Sequence, residues 1–235
     1  HLAVISAPPS QLNARSLIRQ QSLVGRSLKR TGDILFSIAV LGVGSPVLLL
    51  LAALVKISSP GPVFYVQRRV GRNYCRFGCI KFRTMRPDAD SLLARVLDKD
   101  PSLRAEFERD FKLRRDPRIT WVGRFLRRSS LDELPQFLNV LKGEMSLVGP
   151  RPYLAEHDYL FQRDYKAYRI RQFVKPGVTG PAQCRGLRGE FTDPALVRQR
   201  IELDFNYVGN WSIWLDFEIV LRTVGQVLFP PKSAC

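Results

Sequence analysis

The sequence predicts an α+β domain, mainly helical with a small β-hairpin, a single globular unit standing behind a kinked apolar helix. Three observations carry this prediction. Residues 34–55 hold no charged side chain; residues 63–85 alternate and are rich in β-branched and aromatic residues around one turn; and beyond residue 88 apolar side chains recur with helical spacing. At 235 residues and 45% apolar content, the chain is long enough to bury a sizeable core.

Residues 1–28 read as a polar lead-in and amphipathic linker, and the chain opens at His1 without a methionine, as a fragment would. The apolar helix is assigned to residues 29–57. About 22 helical residues at ~1.5 Å each nearly cross a ~30 Å hydrocarbon core, and the run lies too far into the chain for a signal peptide. At its centre Ser45-Pro46 removes a backbone hydrogen bond and crowds the preceding turn, which favours a kink. Arg26, Lys29 and Arg30 precede the run, and Lys56, Arg68, Arg69, Arg72 and Arg76 follow it. Positive charge at both ends gives no orientation for a crossing. On these residues two readings stay open: a single pass with a tolerated proline, or a segment that bends and returns to the same face.

Residues 58–235 are assigned to the globular domain. "SSPGP" (58–62) ends the apolar helix. "VFYVQRRVG" and "RFGCIKFRTM" read as two strands joined by a turn. After Pro87, Leu92, Leu93, Val96 and Leu97 share one helical face, followed by Leu103, Phe107 and Phe111. Helices are also expected over 131–142, 152–173, 194–208 and 213–229, with "KPGVTG" (175–180) as a loop.

A net charge of +16 requires anionic partners: nucleic acid, an acidic membrane surface or phosphorylated small molecules. Cys75, Cys79, Cys184 and Cys235 are scattered and read as reduced thiols. With only His1 and His157, neither a histidine metal site nor a Ser-His-Asp triad is expected.

The acidic pair Asp132-Glu133 lies between a cluster of arginines and an apolar run. One reading is a capping box from Ser130 to Glu133, with Pro135 complicating the first turn. At a helix N-terminus both carboxylates would stay ionised. Adjacent helical residues point about 100° apart, so the two would do different work, one as nucleophile and one as metal ligand. The other reading is phosphate chemistry. Arg124, Arg127 and Arg128 precede the pair, and Arg151 follows, fixed between two prolines as a fork for phosphate. A carboxylate attacking a phosphoryl group needs cations around it, arginines and a hard ion such as Mg²⁺.

The chain resembles the monotopic polyprenol-phosphate phosphoglycosyl transferases, the bacterial sugar transferases. The resemblance runs from about Lys29 to beyond Asp216. It rests on "KRTGD", "SPGPVFYVQRRVGRN", "KFRTM", "DPRITWVGRFLRRSSLDELPQFLNVLKGEMSLVGPRP" and "VKPGVTG". It implies a re-entrant helix broken at Ser45-Pro46, anchoring a catalytic domain on the cytoplasmic face of the bacterial inner membrane. It further implies that Asp132 attacks the β-phosphorus of a UDP-sugar, expels UMP and forms a phosphosugar–aspartyl intermediate. Undecaprenyl phosphate then takes the phosphosugar, the first membrane step of exopolysaccharide, capsule or lipopolysaccharide synthesis. By the same resemblance Glu133 is the Mg²⁺ ligand. Arg127 and Arg151 match the phosphate site, Lys81 and Arg83 of "KFRTM" are substrate-binding candidates, and Asp204 and Asp216 match acidic positions near it.

"RGLRGE" (185–190) is similar to the glucose-1-phosphate-transferring branch, which makes UDP-glucose the first donor expectation and Arg188 a donor contact. UDP-galactose and a UDP-N-acetyl sugar remain alternatives, because "TGPAQCRG" departs from the commoner "TGWAQVNG". Inner-membrane lipids are expected partners and a homodimer is one expected assembly. No nucleic acid is expected as partner, since no base-reading motif accompanies the basic stretches 61–86 and 114–128. A membrane scaffold in which the acidic pair only caps a helix is the remaining alternative.

Overall fold

The computed structural model describes residues 23–110, 113–187 and 193–228. Helix α1 (Leu23–Val43) and helix α2 (Ser45–Ser58) meet at Gly44 with a bend of 63°. Helix α1 is therefore already formed ahead of residue 29, where the apolar segment was expected to begin. Pro46 has no N–H to give the Gly42 carbonyl, and the Ser45 hydroxyl donates to that carbonyl instead, at 2.7 Å. The Ser-Pro pair thus turns the helix and satisfies the acceptor freed by turning it. No single helix among the described residues is long and apolar enough to cross a membrane; the bent pair passes that test only together. Its exposed surface is apolar, with Leu35, Ile38, Val43, Val47, Leu49 and Leu50 uncovered.

The hairpin pairs β1 (Phe64–Val70) with β2 (Arg76–Phe82) in antiparallel register, Tyr65 opposite Lys81. Helices α3 (Ala89–Lys99) and α4 (Pro101–Asp110) follow. Helix α5 (Trp121–Ser129) starts on Thr120, whose hydroxyl accepts from the Gly123 N–H at 2.9 Å. The expected helix over 131–142 divides. A single helical turn covers Leu131–Glu133, and α6 (Gln136–Lys142) begins behind Pro135. The capping box does not form. Ser130 is the left-handed C-terminal residue of α5 (φ 57°), outside the extended conformation that an N-cap needs, and its side chain makes no capping bond.

The expected helix over 152–173 also divides, into α7 (Ala155–Asp164) and the tighter turns of Lys166–Phe173. The stretch expected as a loop at 175–180 contains β4 (Gly177–Thr179), which pairs in parallel with β3 (Ser146–Val148). A three-residue strand is too short to show a period, so neither strand was legible. Helices α8 (Pro194–Gly209) and α9 (Ile213–Leu228) close the described chain as expected.

"KRTGD" acquires a physical meaning here. Arg30 donates to the Val140 and Leu141 carbonyls at the end of α6, at 2.6 and 3.0 Å. Asp33 accepts from the Leu147 N–H at 2.9 Å. Lys29 donates to the Val148 carbonyl at 3.0 Å and to Asp216 at 2.6 Å. The apolar helix pair is thereby tied by polar contacts to α6, β3 and α9. It also shares a core with α5, where Leu51 and Val55 pack with Phe82, Val122 and Leu126.

Gly123 marks the closest approach in this frame. A Cβ there would lie 2.0 Å from the Thr84 carbonyl oxygen, backbone that cannot step aside. Gly123→Ala should push α5 off the end of β2 and destabilise the fold by about 1–3 kcal/mol, the usual result of overpacking. Urea unfolding in detergent reads this directly; a midpoint equal to wild type would mean that α5 is not seated against Thr84.

Candidate active site

Four segments bring charged side chains together around Asp132 and Glu133. Lys81 rises from β2, Arg127 from the last turn of α5, Arg151 from the turn after β3, and the acidic pair from the single turn between α5 and α6. Two side chains fix β2 against α6 and α5. Asn139, fully buried on α6, accepts from the Ile80 N–H at 3.0 Å and donates to the Gly78 carbonyl at 2.7 Å, so it completes the free edge of the hairpin. Arg127 donates through Nε to the Thr84 hydroxyl at 2.9 Å.

The two carboxylates sit in different electrostatic surroundings. Glu133 accepts from Lys81 Nζ at 2.6 Å and from the Arg151 fork at 2.8 and 3.2 Å. Burial alone would raise its pKa, but Arg151 and Lys81 outweigh burial and hold the carboxyl well below the usual carboxylate range. Asp132 has a looser relation to charge. Among the described residues the only cation within 4.0 Å of it is Lys81 Nζ, at 4.0 Å. Burial pushes Asp132 above the ordinary aspartate value, Lys81 opposes this and the Glu133 charge adds to it. The expectation that helix position would hold both groups ionised alike is therefore corrected: Glu133 is clamped by cations, whereas burial acts against the charge on Asp132.

Among the described residues no group of three or more His, Cys, Asp or Glu side chains could hold a metal ion by itself. Mg²⁺ commonly takes one or two carboxylates and completes its shell with water and substrate phosphate. A carboxylate offers about four lone-pair positions, and three cationic hydrogen bonds leave Glu133 room for one further partner on Oε2. A Mg²⁺ ion at Glu133 would therefore have to draw its remaining ligands from water and a bound phosphate.

The other sequence candidates are placed elsewhere. Arg83 is turned to the Pro60 and Ser59 carbonyls, at 2.6 and 2.8 Å, where it fastens the end of α2. Asp216 accepts from Lys29, from Tyr207 at 2.7 Å and from Trp211 at 3.0 Å, joining α9 to α1 and α8. Asp204 pairs with Arg171 at 3.2 Å; burial pushes it up to about 6 while Arg171 opposes the rise. Arg188 lies outside the described residues. Sequence reasoning passed over Asn139, Thr84, Arg69 and Arg171. Arg69 carried a signal in the basic run after the apolar helix, and Thr84 and Asn139 lie inside the quoted "KFRTM" and "DPRITW…VGPRP" stretches; Arg171 carried none.

A family model described as bacterial sugar transferase matches residues 24–230. Among curated relatives, the UDP-glucose:undecaprenyl-phosphate glucose-1-phosphate transferase of Escherichia coli K12 is 43% identical over 201 residues, 86% of this chain and 40% of the relative. The undecaprenyl-phosphate galactose phosphotransferase of Salmonella typhimurium LT2 is 44% identical over 212 residues, 89% of this chain and 43% of the relative. The exopolysaccharide production protein ExoY of Sinorhizobium fredii is 40% identical over 204 residues, 87% of either chain. The chain spans about two fifths of the length of the first two relatives. The family model covers residues 24–230, well over half of the chain, and on that extent of match the chain belongs to the bacterial sugar transferase family.

Proposed function

We propose that this chain transfers a sugar 1-phosphate from a UDP-sugar to undecaprenyl phosphate and releases UMP. The observation that carries the reading is the asymmetry of the acidic pair: Glu133 clamped by Lys81 and Arg151, Asp132 beside it without a hydrogen-bonded cation among the described residues. The names of the relatives support the substrate classes.

In this reading an Asp132 carboxylate oxygen attacks the sugar-bearing phosphorus of the donor. The bond from that phosphorus to the bridging oxygen breaks, and UMP leaves with the electron pair. A phosphate oxygen of undecaprenyl phosphate then attacks the same phosphorus and displaces Asp132, which recovers its charge. Arg151 and Lys81 face the charge that builds on the phosphoryl oxygens, and Arg127 acts on Asp132 from α5. Mg²⁺, held by Glu133 and the donor phosphates, would supply further positive charge to the diphosphate. UDP-glucose is the first donor, since "RGLRGE" (185–190) is similar to the glucose-1-phosphate-transferring branch and several relatives are named for glucose; UDP-galactose is the alternative that other relatives' names support.

The bent pair α1–α2 is proposed to enter one leaflet and return. Its exposed apolar tip and the basic residues at both bases, Lys29, Arg30 and Lys56, suit re-entry from the cytoplasmic face of the inner membrane. Purified protein in detergent, with undecaprenyl phosphate and Mg²⁺, is offered UDP-glucose, UDP-galactose and a UDP-N-acetyl sugar. Lipid-dependent UMP with one donor is the expected result. Release of UDP would mean ordinary glycosyl transfer and overturn the reading.

A further inference from the structure

The Arg151 fork stands on a turn with an unusual constraint. Pro150 and Pro152 carry no N–H, so the turn can be fastened there only through its carbonyl oxygens. Each of the three is held. The Pro150 carbonyl accepts from the Gly177 N–H of β4 at 3.0 Å. The Pro152 carbonyl accepts from Arg69 Nη1 at 3.0 Å. The Arg151 carbonyl itself accepts from Arg171 Nη2. The Val70 N–H then holds the next carbonyl, that of Tyr153, at 3.1 Å.

Arg171 is built for this place. It is 6% exposed, and its guanidinium carbon lies against two aromatic rings, 4.1 Å from the Tyr153 centroid and 4.9 Å from that of Tyr168. Nη1 donates to the Tyr168 hydroxyl at 2.8 Å, and Asp204 supplies the counter-charge at 3.2 Å. Asp158 in turn accepts from the Tyr168 hydroxyl at 2.6 Å. The guanidinium is thus held by aromatic contacts and hydrogen bonds, with one nitrogen donating to the carbonyl of the residue whose side chain grips Glu133.

We propose that Arg171 is a positioning residue for Arg151, holding the backbone of the Pro150-Arg151-Pro152 turn so that the fork meets Glu133 and a donor phosphate in register. Its catalytic part rests on the function proposed above. Arg171 touches neither the dyad nor a substrate; it acts through the Arg151 carbonyl. Arg69 supports the same turn from the β1 side through Pro152.

The test uses the full chain in detergent and two independent readouts. Amide exchange at Gly149, Arg151 and Tyr153, the residues of 149–153 that carry an N–H, should rise at least about tenfold in Arg171→Gln while the exchange of α6 stays at the wild-type rate. The kcat/KM for UMP release should fall about 10–100-fold, the effect of a slight misplacement of a positioning group. In an Arg151→Gln background the same substitution should cost less than about twofold, because its route of action is already gone. Exchange at 149–153 equal to wild type, or equal losses of kcat/KM in both backgrounds, would overturn the proposal. Should Arg171→Gln fail to fold, Arg171→Lys keeps a cation for Asp204 but loses the planar fork that reaches Tyr168 and the Arg151 carbonyl from two separate nitrogens, and the same two readouts decide. A wild-type protein that releases no UMP would fell the proposed function instead; the exchange result would still decide whether Arg171 holds the turn.

Discussion

Replacing Asp132 by asparagine should abolish UMP release, lowering kcat by on the order of 10⁴-fold or more, the scale seen when a nucleophile or its direct partner is removed. The amide is nearly isosteric, so the change isolates charge and nucleophilicity from shape. Folding should be little altered, because Asp132 is not the group that neutralises the cations: Lys81 lies 4.0 Å from it and 2.6 Å from Glu133. The same residue governs the response to acid. A carboxyl whose pKa is raised in the folded protein takes up its proton at a higher pH than an ordinary aspartate, and the protonated group cannot attack. As pH falls, kcat/KM should therefore drop beginning above the ordinary value of 3.8, while Glu133, held low by Arg151 and Lys81, remains ionised. Measured rates for wild type across pH 4–8, with Asp132→Asn as the blank, decide the matter. Turnover by Asp132→Asn within tenfold of wild type would remove Asp132 from the chemistry.

Glu133→Gln should damage both fold and activity. Its carboxylate is the common counter-ion of Lys81 and Arg151, and the substitution leaves two cations facing each other across a half-buried site. Taking one partner from a buried ion pair costs about 3–5 kcal/mol. Because the Arg151 side chain keeps 39% of its exposure, water relieves part of that, and about 3 kcal/mol is the expected loss. For a chain of this size that lowers Tm by roughly 6–12 °C. Activity should fall about 100-fold as the fork and the lysine lose their shared anchor. Thermal unfolding in detergent and UMP release read the two effects separately. An unchanged Tm would mean that the Lys81–Glu133–Arg151 cluster contributes nothing to the fold.

The long or strongly patterned elements were legible: the bent apolar helix, the hairpin and the two closing helices each carry enough residues to show a period. Interruptions were legible only where a proline marked them, at Ser45-Pro46 and in the complication at Pro135. That Ser130 ends α5 in a left-handed conformation, and so cannot cap the next turn, depends on the C-terminal geometry of α5, which no local pattern shows. The acidic pair and Arg151 could be found by chemistry, since two carboxylates among arginines raise a question on sight. Their asymmetry could not, because it depends on which carboxylate Lys81 reaches from β2 and which Arg151 reaches from the turn after β3. Arg171 lay inside a stretch read as one helix, where an arginine looks like solvent-facing charge; aromatic contacts and a carbonyl on a distant turn make it an interior residue.

The docking of α1–α2 through Lys29, Arg30 and Asp33, with Leu51 and Val55 in the shared core, bears on which parts of the helix pair can be trimmed or re-surfaced. Trimming the chain at residue 58 would strip the carbonyl caps from α6, leave the Leu147 amide without its carboxylate and open the core beneath α5. A re-surfaced variant would have to keep the lower half of each helix and alter only the apex around Val43 and Val47, replacing exposed leucines and valines with polar side chains while leaving the bend intact.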